Sequence, residues 1–170
     1  MTKALRTTLA AAALAALATG GCSTSAPERP AYDVPDQVGG DVDPAALVGV
    51  WQVTPLNPYP EQGEQETLIE YRDDGSVVGQ VDPSDDEAMA ALGDVRFEMT
   101  GRWSVSEGSV THRDVKMEAL SDNTFAKLMT SLVNGAKRDL GGTADIRELG
   151  PDRIVMLGTD GAAMRYDRVR

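Results

Sequence analysis

His112 is the only histidine in the chain, and it is the residue type best suited to acid-base or metal chemistry. Zinc sites are built from several histidine or cysteine ligands, and the 170 residues contain one of each. Serine nucleophiles are often marked by a Gly-x-Ser-x-Gly turn, which the sequence lacks. The sequence therefore predicts a protein that is not an enzyme and that holds no metal or cofactor. Paired carboxylates stay open, because the fold rather than the spacing brings them together.

Four acidic residues lie close together in the sequence: Asp82, Asp85, Asp86 and Glu87. Clustered carboxylates attract calcium, but the alternating spacing and the glycine of a calcium loop are missing here. Ser84 followed three residues later by Glu87 fits a capping box, and acidic side chains suit the positive N-terminus of a helix. The pattern favours a short helix over residues 85–92 rather than a metal site.

The N-terminus has the organisation of an export signal. Lys3 and Arg6 precede an uninterrupted Ala/Leu run at residues 9–18, which is too short to span a bilayer. Cys22 follows the small residues Gly20 and Gly21 and is the only cysteine, so no disulfide can form within one chain. The segment resembles the lipobox of bacterial lipoproteins, although Thr19 stands where that family prefers leucine. The resemblance implies a signal peptide over residues 1–21 and a lipid on Cys22.

This resemblance predicts an exported lipoprotein of the cell envelope, bound to the membrane through its N-terminal lipid. If the cell is Gram-negative, Ser23 resembles a sorting signal for the outer membrane, with the domain facing the periplasm. Cleavage by an ordinary signal peptidase is the alternative, and it would leave a free thiol.

The charge of the mature chain argues against nucleic acid as a partner. Without Lys3 and Arg6, 14 basic side chains face 27 acidic ones, a net charge of −13. Such a surface repels phosphate backbones and anionic headgroups. Residues 22–43 are rich in proline, glycine and serine and predict a flexible tether, while residues 44–170 predict one β domain.

The segment from Val95 to Val105 has a strict period of two, with apolar residues or glycine at every odd position. Alternate side chains of a strand point to opposite faces, so the segment predicts a long strand with one buried face. Gly101 lies on that face and indicates a bend, a bulge or a close approach. The return strand, residues 109–119, changes alternation near Arg113 or Asp114, which predicts a β-bulge.

Turn and cap signals place the remaining elements. A short helical turn at residues 44–46, capped by Asp43, precedes the first strand at 47–54. Apolar residues spaced three and four apart predict one long amphipathic helix from about Asp122 to Leu140, capped by Ser121 or Asp122 and covering an end or open face of the sheet. Further strands are predicted at 67–72, 76–81, 143–149, 153–157 and 162–169. The sequence predicts a mainly β fold: an antiparallel up-and-down barrel or strongly curved sheet of about eight strands.

Two Gly-x-Trp motifs, Gly49-Val50-Trp51 and Gly101-Arg102-Trp103, start or occupy predicted strands. With an Asp-Gly hairpin between them and a final Tyr-x-Arg, their order resembles bacterial lipocalin-like domains of poorly known function. The resemblance implies that Arg165 or Arg168 packs on the first tryptophan. We interpret both tryptophans as core residues.

Two functions stay open at this point. In the first, the barrel binds a small hydrophobic molecule, with Phe97, Met99 and His112 as candidate contacts on the inward face. His112 has the alternative of a partly exposed strand position. In the second, the core is solid, and the long helix or the loop at 55–66 binds an envelope protein. A cavity of about 300 Å³ or more favours the first function.

Overall fold

The structure is a computed structural model. It describes residues 29–33, 35–38, 40–60, 66–82, 95–135 and 141–170. The predicted signal peptide, Cys22, most of the acidic group with its helix at 85–92, and the last turn of the predicted long helix lie outside the described residues. Those predictions stay as they were.

Eight antiparallel strands close into a barrel in which each strand pairs with the next along the chain and the eighth pairs with the first. This confirms the mainly β, up-and-down architecture. The strands are β1 (Gly49–Pro55), β2 (Glu66–Tyr71), β3 (Ser76–Asp82), β4 (Phe97–Ser106), β5 (Ser109–Ala119), β6 (Gly142–Leu149), β7 (Arg153–Gly158) and β8 (Ala163–Arg168).

The barrel has two ends that differ in construction. At one, which we call the closed end, lie the 3-10 turn Pro44–Ala46 and the turns at residues 72–75, 107–108 and 150–152. Asp43 caps the 3-10 turn as predicted, because its side chain accepts a hydrogen bond from the Ala45 amide at 3.0 Å. The opposite end, the loop end, carries residues 56–60, the turn at 159–161 and the helix that follows β5.

Strand β4 shows the predicted alternation in its second half, whereas Phe97 to Gly101 are all half-buried. Trp103 is buried while its neighbours Arg102 and Ser104 are exposed. The inward residues of several strands meet in one core beneath this face. Its buried members are Val42, Leu47, Trp51, Tyr71, Val77, Trp103, Val110, Ile146, Ile154, Met156 and Tyr166.

A β-bulge lies in the pairing of β4 with β5, at the point where the alternation of β5 changes. Arg102 pairs with Arg113 and Thr100 pairs with Lys116, so two residues of β5 face the single Gly101. One of the two, Asp114, has a φ of 54°. A Cβ at Gly101 would lie 3.0 Å from the Arg113 carbonyl oxygen. The predicted bulge and close approach are both present, and glycine is the residue that the close approach allows.

Helix α1 (Thr124–Gly135) begins later than predicted, and its cap is Asn123 rather than Ser121 or Asp122. The Asn123 Oδ1 accepts hydrogen bonds from the Phe125 amide at 2.8 Å and the Ala126 amide at 3.4 Å. Asp122 instead forms an ion pair with Lys127 at 2.8 Å.

The apolar stripe of α1 covers less of the barrel than we expected. Ala126 and Thr130 are buried, whereas Leu128 and Leu132 are 55% and 59% exposed. Pairing between β5 and β6 stops at His112 among the described residues, and α1 packs beside the remaining part of β5. There the Asn134 side chain accepts from the Met117 amide at 3.2 Å and donates to its carbonyl at 2.7 Å. This pair of bonds sets the rotation of the helix and turns the two leucines outward.

Part of the segment predicted as a tether lies against the barrel. We call its described residues, 29–33 and 35–38, the strap. The Val38 amide donates to the Ile146 carbonyl at 2.8 Å, just beyond the point where β5 begins. At the other end of the strap, Arg29 Nη1 donates to the Asn57 carbonyl at 3.2 Å. The strap thus contacts both ends of the barrel.

Candidate ligand-binding cavity

A cavity of about 160 Å³ lies among strands β2, β3, β4 and β5. Four of the strands' aliphatic or thioether side chains form most of its wall, and Thr100 and His112 add polar groups. Gly79 contributes no side chain, so this part of the wall is backbone. The lining residues are Ile69, Val77, Gly79, Met99, Thr100, His112 and Val115.

His112 is held in the cavity wall by Tyr71. The Tyr71 hydroxyl and His112 Nε2 are 3.0 Å apart and form a hydrogen bond whose direction depends on the tautomer. The two rings are nearly parallel, with an interplanar angle of 28° and centroids 5.7 Å apart. Trp103 packs edge-on against the Tyr71 ring with centroids at 5.1 Å. The Tyr71 ring, which is itself packed against Trp103, therefore fixes the position of the imidazole.

Burial decides the protonation of this cluster. Desolvation lowers the pKa of His112 below its ordinary value of 6.5, so the imidazole is neutral at pH 7. Desolvation also raises the pKa of Tyr166 to about 12. The pKa of Tyr71 is raised well above 10, first by desolvation and then by its interaction with Tyr166. His112, Tyr71 and Tyr166 are therefore uncharged near neutral pH, and they can form hydrogen bonds with a neutral ligand.

Trp51 sits in a contrasting setting at the closed end. It is fully buried, and its Nε1 donates to the Leu47 carbonyl at 2.7 Å. The Arg168 guanidinium lies over the indole, 4.0 Å from the ring centroid. Arg168 also donates to the Val48 carbonyl at 2.8 Å and the Ala46 carbonyl at 2.9 Å. This cluster seals the barrel against solvent.

Gly49 makes the approach of Arg168 possible. Its φ is +136°, a conformation that favours glycine, and a Cβ there would collide with Arg168 Nη1. Of the two arginines that the sequence could not separate, the one over Trp51 is Arg168. Arg165 forms an ion pair with Asp167 at 2.7 Å instead.

The second Gly-x-Trp motif lies in the wall between these two settings. Trp103 Nε1 donates to the Arg72 carbonyl at 3.0 Å, which ties β4 to the hairpin turn beside it. Its indole is 8% exposed and belongs to the core. Both tryptophans are therefore core residues in the structure.

The three candidate ligand contacts do not lie together. Met99 and His112 line the cavity. Phe97 borders a separate groove near the loop end, also of about 160 Å³, among charged and polar residues such as Glu66 and Arg96. The difference arises because Phe97 is the first residue of β4, whereas Met99 lies two residues further into the barrel.

Sequence reasoning did not assign a site role to Tyr71 or Asn57. The hydrogen bond from Tyr71 to His112 spans 41 residues of sequence, so no local pattern marks it. Asn57 is 4% exposed and bonds residues as distant as Pro30 and Gly161. The position of Asn57 in a proline-rich loop resembles an ordinary turn residue, so no local signal marks it.

The described residues contain no group of three or more His, Cys, Asp or Glu side chains placed to hold a metal ion. Within the same residues, none of the helices has the length and apolar character needed to cross a membrane.

No known protein family model matches this chain, and no curated protein matches it. Among solved structures it is similar to a protein from Burkholderia xenovorans determined by NMR. The two are 14% identical, the match covers 82% of this chain and 98% of the other, and the TM-score is 0.37. The eight-stranded barrel is itself consistent with a lipocalin-like fold.

Proposed function

We propose that this protein is a non-enzymatic, lipid-anchored envelope protein whose barrel binds one small apolar molecule. The observation that supports this proposal is the cavity of about 160 Å³ bounded by Ile69, Val77, Met99 and Val115. Pockets for drug-sized ligands begin at about 300 Å³, so the cavity is smaller than the size that we expected for a ligand-binding barrel. An apolar cavity of about 150 Å³, by comparison, holds benzene or xenon. The ligand is therefore the size of one ring or a short alkyl segment.

Support for the anchored location comes from the N-terminal residues. The basic start, the short apolar run and Cys22 provide an export signal followed by an acylation site. Replacement of Cys22 by alanine tests this directly. We expect the Cys22→Ala protein to be soluble and unlabelled by radioactive palmitate. Unchanged membrane fractionation of the variant would refute the anchor.

Binding in the cavity can be tested with benzene and xenon as probes. The expected result is a saturable change in the methyl NMR signals of Met99 and Val115, because both side chains line the cavity. Gly79→Leu should abolish the change, since the new side chain occupies the cavity. Gly142→Leu is the matched control: a Cβ at Gly142 meets nothing within 4 Å. If neither probe perturbs these signals in the unmodified protein, the ligand-binding proposal fails.

A second candidate function rests on helix α1. Leu128 and Leu132 occupy successive turns of one face and are both more than half exposed. Apolar side chains placed in this way on an envelope protein can bind a partner protein. A photo-crosslinker at position 132 should then give a reproducible adduct in intact cells, and one at Ser131 should give a weaker adduct. Equal or absent adducts would count against this function.

A further inference from the structure

The path of the chain raises the question of which end of the barrel faces the membrane. The 3-10 turn and the start of β1 lie at the closed end, so the predicted tether joins the domain there. A free tether over residues 22–43 would hold the barrel by this end. The strap changes that geometry, because its residues lie along the barrel before reaching the 3-10 turn.

Asn57 fixes the strap at the loop end. Its Nδ2 donates to the Pro30 carbonyl at 2.8 Å and to the Gly161 carbonyl at 3.0 Å. Its Oδ1 accepts from the Ala163 amide at 2.9 Å. One buried side chain therefore joins the strap, the end of β1 and the turn before β8. All three of its bonds are to backbone groups, so the position of the strap backbone is specified directly.

Arg29 adds a second set of contacts at the same end. Its guanidinium lies 4.2 Å from the centroid of the Tyr59 ring and 3.7 Å from Asp160 Oδ2. It also donates to the Asn57 carbonyl, and its side chain is only 13% exposed. A stacked and paired arginine that is largely buried is characteristic of a specific contact.

The other end of the strap is bonded near the closed end. Gln37 Nε2 donates to the Glu107 carbonyl at 3.1 Å and to Ser109 Oγ at 3.2 Å. The Val38 amide bonds the Ile146 carbonyl, while the Ile146 amide bonds the Gly108 carbonyl at 2.8 Å. The strap thus satisfies one carbonyl of β6 beyond the start of β5, which holds this part of the chain on the barrel.

We propose that the strap reverses the barrel on its anchor, so that the loop end rather than the closed end faces the membrane. The inference rests on the proposed lipid at Cys22. Six residues lie between Cys22 and Arg29, and the seven Cα–Cα steps from one to the other span at most about 25 Å. The loop end is then held within about 25 Å of the bilayer surface, and the closed end lies one barrel length further away.

The charge of the mature chain is compatible with this arrangement without adhesion to lipid. A net charge of −13 keeps the barrel from binding anionic headgroups, so the short anchor alone determines the orientation. The partner of the loop end is the membrane leaflet that holds the lipid, and a ligand that leaves that leaflet meets the loop end first.

Fluorescence energy transfer from each end of the barrel to labelled lipid tests the orientation. Because acylation blocks the thiol of Cys22, an introduced cysteine is the single free thiol of the acylated protein. Thr159→Cys labels the loop end and Asp73→Cys the closed end, both at exposed positions. The full-length acylated proteins are placed in phosphatidylcholine vesicles that contain an acceptor lipid. We expect the dye at 159 to lie about 15–20 Å nearer the bilayer than the dye at 73, which is the length of a six-residue strand.

Release of the strap provides the decisive variant. Arg29→Ala, Gln37→Ala and Val38→Pro together remove the contacts with Tyr59 and Asp160, the Gln37 bonds and the bond to Ile146. Of the strap contacts described above, the Asn57 bond to the Pro30 carbonyl remains, and all three changes lie outside the barrel strands. The difference between the two dyes should vanish or reverse, while thermal unfolding shows that the barrel remains folded. Asp33→Ala, at an exposed strap residue, is the matched control and should leave the difference unchanged.

The possible failures can be told apart. If the strap is unmodified and energy transfer to the lipid is equal from positions 159 and 73, or stronger from 73, the proposed orientation is wrong while the anchor stands. A Cys22 thiol that reacts with the dye overturns the anchor and the orientation together. Binding of benzene in the cavity is independent of both results.

Discussion

Trp51 and His112 each place a ring with a polar edge inside the barrel, yet their surroundings are built differently. At Trp51 the surrounding groups pack closely. The Leu47 carbonyl accepts a hydrogen bond from the indole N–H, the Arg168 guanidinium covers the ring face, and Gly49 leaves room for the guanidinium. At His112 one tyrosine holds the ring, and beside it about 160 Å³ stays unfilled.

The difference shows that one barrel can be solid at one end and hollow in the middle. The closed end has its polar groups satisfied by backbone carbonyls and an arginine. Strands β2 to β5 leave space because Gly79 contributes no side chain opposite Met99. Packing at the first region supports stability, and space at the second is the basis of the binding proposed above. The following predictions test this contrast, beginning with the largest expected effect.

Trp51→Ala should lower the free energy of unfolding by about 3–5 kcal/mol, because it leaves a large hole in a fully packed region. Met99→Leu, a volume-conserving change in the cavity wall, should cost less than about 1.5 kcal/mol. Chemical denaturation measures both values. Equal losses would mean that the closed end is no better packed than the cavity.

Arg168→Ala should cost about 2–4 kcal/mol, because it removes the cation on Trp51 and leaves the Val48 and Ala46 carbonyls without their donor. Arg165→Ala is the matched control. Its partner Asp167 is also bonded by Arg153, and an ion pair at the surface contributes at most about 1 kcal/mol. The two variants compared by thermal unfolding should differ clearly, and similar shifts would contradict the role assigned to Arg168.

Replacement by alanine should change the stability of the fold by different amounts at two inward-facing glycines. At Gly101 a Cβ would lie 3.0 Å from the Arg113 carbonyl oxygen and 3.1 Å from Val115 Cγ2, so Gly101→Ala should cost about 1–3 kcal/mol. At Gly79 the nearest atom is the flexible end of Met99 at 3.4 Å, and Gly79→Ala should change stability by less than about 0.5 kcal/mol. A larger loss at Gly79 would show that the cavity has no room for a methyl group.

The smallest effect concerns pH. Burial lowers the pKa of His112, so the neutral imidazole stabilises the fold above the ordinary value near 6.5, and this contribution is lost as pH falls through the lower native pKa. We expect the unmodified protein to lose more stability between pH 7 and pH 5 than His112→Gln does. Carboxylates titrate equally in both proteins, so the difference isolates the histidine. Parallel curves would indicate an exposed imidazole.

Local patterns in the sequence were sufficient for the elements and their order. The alternation of residues 95–105 predicted β4, and the change of alternation near Arg113 or Asp114 predicted the bulge. The residue type of Asp43 predicted the cap of the 3-10 turn. Helix α1 was predicted less well. Asn123, Ser121 and Asp122 are all good N-caps by residue type, and the choice among them depends on where the chain leaves β5.

The cavity was predictable only in outline. The period of two placed Met99 inward, and His112 was left between an inward and a partly exposed position. Phe97 shares the parity of Met99, and only the height of each residue in the barrel separates a cavity residue from one that borders a surface groove. Height depends on how the strands are staggered against each other, which periodicity along one strand does not contain.

By itself the sequence determined the strands, the turns, the bulge, the acidic surface and the residues able to form the closed end, because each depends on neighbours along the chain. The tertiary structure decided which arginine covers Trp51, that Tyr71 holds His112, how much space remains beside them, and that the strap crosses the barrel. Each of these depends on contacts between residues tens of positions apart, and their distances are fixed only when the barrel closes.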